Sequence, residues 1–122
     1  MSDPKKTLVL GASENPTRYS YLAIQSLVNH HHPVVAIGRR PGRVNEVPIQ
    51  ADLPKLEEID TVTLYLSKEN QEEYIPYILS LKPKRIIFNP GAENPELARL
   101  ARENQIYPQE ACTLVLLSTG QY

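Results

Sequence analysis

The sequence predicts an α/β sandwich of three layers, with helices on both faces of a five-stranded, mostly parallel sheet. Three observations carry this. Short apolar runs alternate with segments of helical periodicity along the whole chain. The runs are continuous rather than alternating, as in strands covered on both faces. No hairpin turn signal joins any two of them, so each return needs a crossover through a helix. At 122 residues the chain makes one domain, residues 1–122, with no room for a separate substrate domain.

The first run is Thr7 to Leu10, closed by Gly11. After a turn, Tyr21, Leu22, Ile24, Leu27 and Val28 recur at helical spacing, which predicts a helix over Tyr19 to Asn29. Asn29, the histidines and Pro33 mark its end. Val34 to Ile37 is the second strand, ending at Gly38. Arg39 to Gln50 holds two prolines, a glycine and arginines, and reads as an excursion with at most a short strand over Val47 to Ile49. Thr61 to Leu66 is the third clear strand. A helix follows over Asn70 to Leu81, where Pro76 fits only near the first turns or kinks the helix. Arg85 to Phe88 is the fourth strand. Asn94 is a helix N-cap with Pro95 in the first position. Ile106-Tyr107 is a short fifth strand, and the apolar stretch from Ala111 to Thr119 a closing helix. The pattern is Rossmann-like.

Composition excludes several classes. The formal net charge of -1 gives no global field favouring nucleic acid or a membrane surface. One cysteine forms no internal disulfide, and no Cys/His spacing suggests zinc. Met1 to Lys6 is polar and the apolar run after it short, so neither a signal peptide nor a spanning segment is expected and the setting is cytoplasmic.

Function should gather at the carboxyl ends of the strands. The first end carries Gly11, Ala12, Ser13, Asn15, Pro16 and Arg18, which is G-x-S-x-x-P where dinucleotide folds have G-x-G-x-x-G. Gly11 serves the tight turn, and Ser13 permits close approach while adding a hydroxyl. Pro16 widens the loop and delays the helix. Arg18, followed by Tyr19 and Ser20, puts a cation at a helix N-terminus, where the dipole alone disfavours it and a bound phosphate compensates. The second end is Gly38-Arg39-Arg40, where an NAD site wants an acidic residue for the ribose hydroxyls. Two guanidinium groups suit a further phosphate on the ribose, which NADP and coenzyme A both carry. The same residues also read as a solvated basic loop. The third end is Ser67 to Asn70. The fourth combines Asn89, Pro90 and Gly91 with the cap Asn94, and serves either a ligand or the helix alone.

Val9-Leu10-Gly11-Ala12-Ser13 with Asn15-Pro16 and Arg18, then Leu56 to Asp60, then Phe88 to Asn94, then Cys112, resemble the small stand-alone CoA-binding domain proteins. These are related to the CoA-binding Rossmann domain of succinyl-CoA synthetase. The resemblance covers nearly the whole chain. It implies that coenzyme A or an acyl-CoA binds by its nucleotide end, with Gly11, Ser13 and Arg18 near the phosphates and Ser67 and the Asn89 to Asn94 turn bordering the site. The chain departs from the family in three places. Ala36-Ile37-Gly38-Arg39 stands for Pro-x-Asn-Pro, Asn89 for a glutamine, and Glu110-Ala111 for an Asp-Arg before the cysteine.

Other groups read more plainly. His30-His31-His32 lies in a turn opposite the ligand end, without a neighbouring carboxylate, and is a solvated helix C-terminus rather than a metal site. Cys112 has no base paired with it by any motif and reads as a small buried side chain. Glu57-Glu58 and Glu72-Glu73 are adjacent in sequence and do not converge as acid/base pairs. No catalytic constellation is visible. The expected function is binding of a small nucleotide-containing ligand without catalysis. The alternative is an NADP-binding small oxidoreductase or reductase subunit, and a third reading is an interaction subunit with a vestigial pocket. A homodimer or a partner enzyme stays open.

Overall fold

The computed structural model describes residues 3–122. Seven strands form one sheet in the order β3-β4-β2-β1-β5-β6-β7. They are β1 (Thr7–Leu10), β2 (Val34–Ile37), β3 (Gly42–Val44), β4 (Val47–Gln50), β5 (Thr61–Leu64), β6 (Arg85–Phe88) and β7 (Tyr107–Glu110). All neighbours pair in parallel except β3 with β4. The helices are α1 (Tyr19–Asn29), α2 (Lys68–Gln71), α3 (Ile75–Leu81), α4 (Pro95–Glu103) and α5 (Thr113–Ser118).

The Rossmann-like class holds, and the strand count does not. The added strands lie in the Arg39 to Gln50 excursion, where the short strand allowed over Val47 to Ile49 forms as β4 and pairs with β3 in a hairpin around Asn45, held at φ 52°. Asparagine tolerates this left-handed conformation, so Asn45-Glu46 turns the chain without the glycine that signals such hairpins. Val44, Val47 and Ile49 are drawn in by packing with Ile24 and Leu27 of α1. Pro48 faces Arg43 in this pair, and the Arg43 N–H turns instead to the Glu14 carboxylate at 3.3 Å. The last strand also differs from expectation: it runs from Tyr107 to Glu110 rather than over Ile106-Tyr107.

The period of two assigns the faces. Leu8, Leu10, Val62, Leu64, Ile86 and Phe88 pack with Ile78 of α3 and with Leu97 and Ala101 of α4. Val9 and Ala36 face Ile24 and Leu27 of α1 and Leu117 of α5. The expected helix over Asn70 to Leu81 is broken into α2, a 3-10 turn at Glu72–Tyr74, and α3. Pro76, in the first turn of α3, lacks the N–H a continuous helix would need. Breaking the path there brings Gln71 inside, fully buried. Its amide donates to the Leu66 and Ala92 carbonyls at 2.9 and 2.7 Å and accepts from Asn94 at 2.9 Å. The loops after β5 and β6 are thereby tied to each other.

At the opposite end of the sheet the chain closes on itself. The Tyr122 hydroxyl meets Thr7 Oγ1 at 2.6 Å. Its ring lies 4.4 Å from the Arg85 guanidinium and 4.9 Å from the His32 ring. His32 Nδ1 accepts the Lys5 backbone N–H at 2.9 Å. Burial, reinforced by Lys5, His30 and Arg85 and opposed by Asp60, holds His32 below its ordinary pKa. The fold therefore resists a proton that the unfolded chain accepts at about pH 6.5. Stability is full above that pH and falls as pH drops below it. Urea titrations from neutral pH down to about pH 5 should show a steeper loss in the wild type than in His32→Asn. Parallel profiles would remove His32 from the account.

Candidate functional site

The chain passes from β1 outward to β2 and the hairpin, then returns across β1 to β5, β6 and β7. The direction of winding reverses at β1, and a crevice opens outside the carboxyl ends of the strands at such a reversal. A cleft of about 910 Å³ lies there. Ligand sites run from about 300 to 1,000 Å³, so this one is large for its domain.

Its floor is the turn between β1 and α1. Gly11 adopts φ 94°, and a Cβ on it would stand 2.8 Å from the Tyr65 carbonyl oxygen. Only glycine lets β1 turn this close to β5. The Gly11 and Ala12 N–H groups both donate to the Ile37 carbonyl at 2.9 Å, which locks the turn to β2. Beyond them the loop is wired by its own side chains. Ser13 Oγ accepts the Asn15 N–H at 3.1 Å, and Asn15 Oδ1 accepts the Thr17 N–H and hydroxyl at 3.0 and 2.8 Å. Ser13 keeps its own hydroxyl proton to donate outward. Pro16 completes the loop and does not line the cleft.

The loop delivers the chain to α1 at Arg18, the N-cap, whose side chain caps nothing. The N–H groups of Tyr19 and Ser20 open an eleven-residue helix with no acidic residue in its first turn. The positive end of the dipole is thus neutralised neither by a cap nor by a carboxylate. Three arginines border the same space: Arg18, Arg39 and Arg40. Among the described residues the ion pairs are those of Arg99 with Glu96 and Glu103, so none of the three has a carboxylate partner. Glu14 lines the cleft too, but its carboxylate reaches away to the Arg43 N–H, close against Gly42. This contact ties the basic segment after β2 to the turn between β1 and α1.

The structure brings most of the sequence-predicted site residues together. From the first turn Gly11, Ala12, Ser13, Asn15, Arg18, Tyr19 and Ser20 line the cleft. Arg39 and Arg40 form one wall, Ser67 the other, and Pro90 with Gly91 the far end. Three predicted residues besides Pro16 stand behind the wall. A Cβ on Gly38 would lie 2.2 Å from the Ala12 carbonyl oxygen, so this glycine seats the turn against β2. Asn89 is buried, donating to Thr63 Oγ1 and the Leu64 carbonyl and accepting from the Thr113 N–H. Asn94 caps α4 by accepting the Leu97 N–H at 3.2 Å and spends its amide on Gln71.

Sequence reasoning passed over Glu14, Thr17, Pro41, Tyr65 and Leu66, which also line the cleft. The first three sit inside stretches it had singled out. The apolar run extends the third strand over Tyr65 and Leu66, yet β5 ends at Leu64 and the two form the loop above it. The Tyr65 hydroxyl is buried with no hydrogen-bond partner among the described residues, and burial raises its pKa, so it stays a neutral phenol. Cys112 is the N-cap of α5, partly buried and outside the cleft lining. Among the described residues no group of three His, Cys, Asp or Glu could hold a metal ion. No helix among them is long and apolar enough to cross a membrane.

Comparison with known proteins points the same way as the geometry. A family model described as "CoA binding domain" matches residues 5–118. The chain is similar to the crystal structure of an uncharacterized protein, at 49% identity and a TM-score of 0.97, over 99% of this chain and 100% of that one. A protein from Thermus thermophilus is similar at 20% identity and a TM-score of 0.83, over 98% of this chain and 91% of that one. A dinucleotide-forming acetyl-coenzyme A synthetase from Ca. Korarchaeum cryptofilum, in complex with phosphate and ADP, is similar at 15% identity and a TM-score of 0.73. There 89% of this chain aligns with 26% of the other. At such identities the last two likenesses show the fold alone. No curated protein matches the chain.

Proposed function

Because the chain belongs to the CoA-binding domain family, we propose that it binds coenzyme A or an acyl-CoA in the cleft at the N-terminus of α1 and performs no chemistry on it. The observation that carries this reading is the set Arg18, Arg39 and Arg40, without carboxylate partners, around an uncapped helix N-terminus. Such a site is unbalanced alone and balanced by a multiply charged phosphate ligand. The α1 turn takes the diphosphate, through free N–H groups, the Ser13 hydroxyl and Arg18. Arg39 and Arg40 take the phosphate on the ribose.

The binding-only half is supported by the hydroxyls of the cleft. Ser13, Thr17, Ser20 and Ser67 have no histidine or carboxylate hydrogen-bonded to them among the described residues. A nucleophile with an adjacent base is the usual sign of covalent catalysis. The volume of the cleft speaks against a vestigial pocket.

Isothermal titration of the ligand-stripped protein with coenzyme A, acetyl-CoA and NADPH tests the proposal. Saturable heat with either CoA compound, exceeding that with NADPH, is the expected result. No heat with them up to about the millimolar range, the weak end of specific binding, would sink it. Preference for NADPH would favour the oxidoreductase reading, which Arg39 and Arg40 also fit.

The role of Arg18 has its own test. Arg18→Ala should keep the fold, because the side chain is exposed and caps nothing. It should weaken CoA binding by about 1.5–3 kcal/mol, the range for a hydrogen bond to a charged group. Unchanged affinity in a variant with a native circular dichroism spectrum would place the diphosphate elsewhere.

A further inference from the structure

Arg39 makes a contact in the free protein that reaches beyond its own wall. It follows β2, yet its Nη2 donates to Oδ1 of Asn70 in α2 at 3.0 Å. In the sheet β1 lies between β2 and β5. Neighbouring strands are about 4.8 Å apart, so the guanidinium reaches from the β2 side of β1 to the β5 side. Arg39 lines one wall of the cleft, and Leu66 and Ser67, just before α2, line the other. The bridge is exposed, and its acceptor is neutral.

We propose that the Arg39–Asn70 contact is a latch across the mouth of the cleft, that every nucleotide must open it, and that a phosphate on the ligand's ribose gives Arg39 a new partner once it is open. The ligand class it selects is thus adenine nucleotides phosphorylated on the ribose. The inference rests on the reading of the cleft as a coenzyme A site. Its physical basis is the difference between two hydrogen bonds. A guanidinium held by an exposed amide has a weak, neutral acceptor. A guanidinium held by phosphate has a charged one, often bidentate, and the pair is stronger. A ligand with the extra phosphate exchanges the first bond for the second. A ligand without it breaks the first and receives nothing from Arg39. The latch sets a threshold that common nucleotides lacking the ribose phosphate do not repay.

The test compares coenzyme A with dephospho-CoA, which lacks that phosphate, on the wild type, Asn70→Ala and Arg39→Ala. Asn70→Ala should tighten both ligands by the same factor, about two- to tenfold, the net worth of one ordinary exposed hydrogen bond. The gain should appear in the association rate, since the latch acts before the ligand is seated. Arg39→Ala should weaken coenzyme A relative to dephospho-CoA and so shrink the preference between them. Asn70→Ala binding that is unchanged or weaker, or a change confined to dissociation, would overturn the latch, because Asn70 would then position Arg39 or touch the ligand itself. If the wild type binds neither compound, the reading of the cleft has failed and the latch falls with it. If the wild type binds coenzyme A and the variants behave otherwise than stated, the latch alone has failed.

Discussion

Asn89→Ala is expected to lower the stability of the domain by roughly 3–4 kcal/mol, the sum of two or more orphaned buried groups. The side chain is 2% exposed at the end of β6. Its amide donates to Thr63 Oγ1 at 2.7 Å and to the Leu64 carbonyl at 2.9 Å, while Oδ1 accepts the Thr113 N–H at 2.9 Å. Alanine leaves that carbonyl and that N–H without partners where water does not reach. The Thr113 N–H also begins α5, whose N-cap Cys112 contributes no side-chain bond. The loss therefore loosens α5 as well as the sheet. Asn89→Asp keeps the acceptor for Thr113 but turns a carboxylate oxygen towards the Leu64 carbonyl, so it should not rescue. Urea denaturation at neutral pH measures the effect. A shift under about 1 kcal/mol, the net worth of one ordinary hydrogen bond, would show that the network relaxes around the gap.

Gly38→Ala should be nearly as damaging, for a steric reason. The added methyl would lie 2.2 Å from the Ala12 carbonyl oxygen and 3.2 Å from its carbon. The obstacle is backbone, so no rotamer change relieves it. Either β2 or the β1–α1 turn must move, and the two are locked by the bonds of Gly11 and Ala12 to Ile37. A cost of about 3 kcal/mol, the upper part of the range for overpacking, is expected. In a domain of this size it corresponds to roughly 10 °C in melting temperature. If the cleft is the coenzyme A site proposed above, any folded fraction should bind it poorly, because the strain falls on the turn between β1 and α1. A melting temperature near that of the wild type would mean that the turn has a second packing against β2.

These residues also show what the sequence can express. The parallel core was legible because strands buried on both faces must be continuously apolar, as Leu8 to Leu10, Val34 to Ile37 and Ile86 to Phe88 are. The turn between β1 and α1 was legible because its signal is local, Gly11 to Arg18 lying on one stretch. Of the hairpin only the strand at Val47 to Ile49 was legible; its partner β3 was not, because Asn45-Glu46 turns the chain without a glycine to signal it. What fixes that hairpin is contact with α1, and such contacts have no local signature. The helix over Asn70 to Leu81 was read as one piece because its apolar spacing runs through. Pro76 marks where it breaks, and burial of Gln71 against the Leu66 and Ala92 carbonyls fixes the path before the break.

Asn89 and Asn94 make the same point from the side of function. Amides at strand ends invite assignment to a ligand. Here, apart from the local cap bond from Leu97 to Asn94, their side-chain partners are Thr63, Leu64, Gln71 and Thr113, 23 to 26 residues away in sequence. Nothing short of the assembled sheet tells a ligand contact from an internal one. Tyr65 and Leu66 entered the cleft for a related reason. Their composition continues the strand, while the backbone leaves it at Leu64.

The seat of the Tyr122 ring has a consequence for how the chain folds. Its walls come from the starts of β1 and β6 and from the turn before β2, through Thr7, Arg85 and His32. The Thr7–Tyr122 bond closes a loop of 115 residues, and Arg85 is itself placed by Thr61, 24 residues earlier. None of these walls exists until β1, β5 and β6 are side by side. Contacts of such sequence separation form slowly, since the entropy of closing the loop is lost before the contact is gained. Docking of the last residues is therefore expected as a late step in refolding, after the parallel strands have aligned. The chain has seven tyrosines and no tryptophan, so the part of the tyrosine signal that Tyr122→Phe removes would report when the sheet is finished.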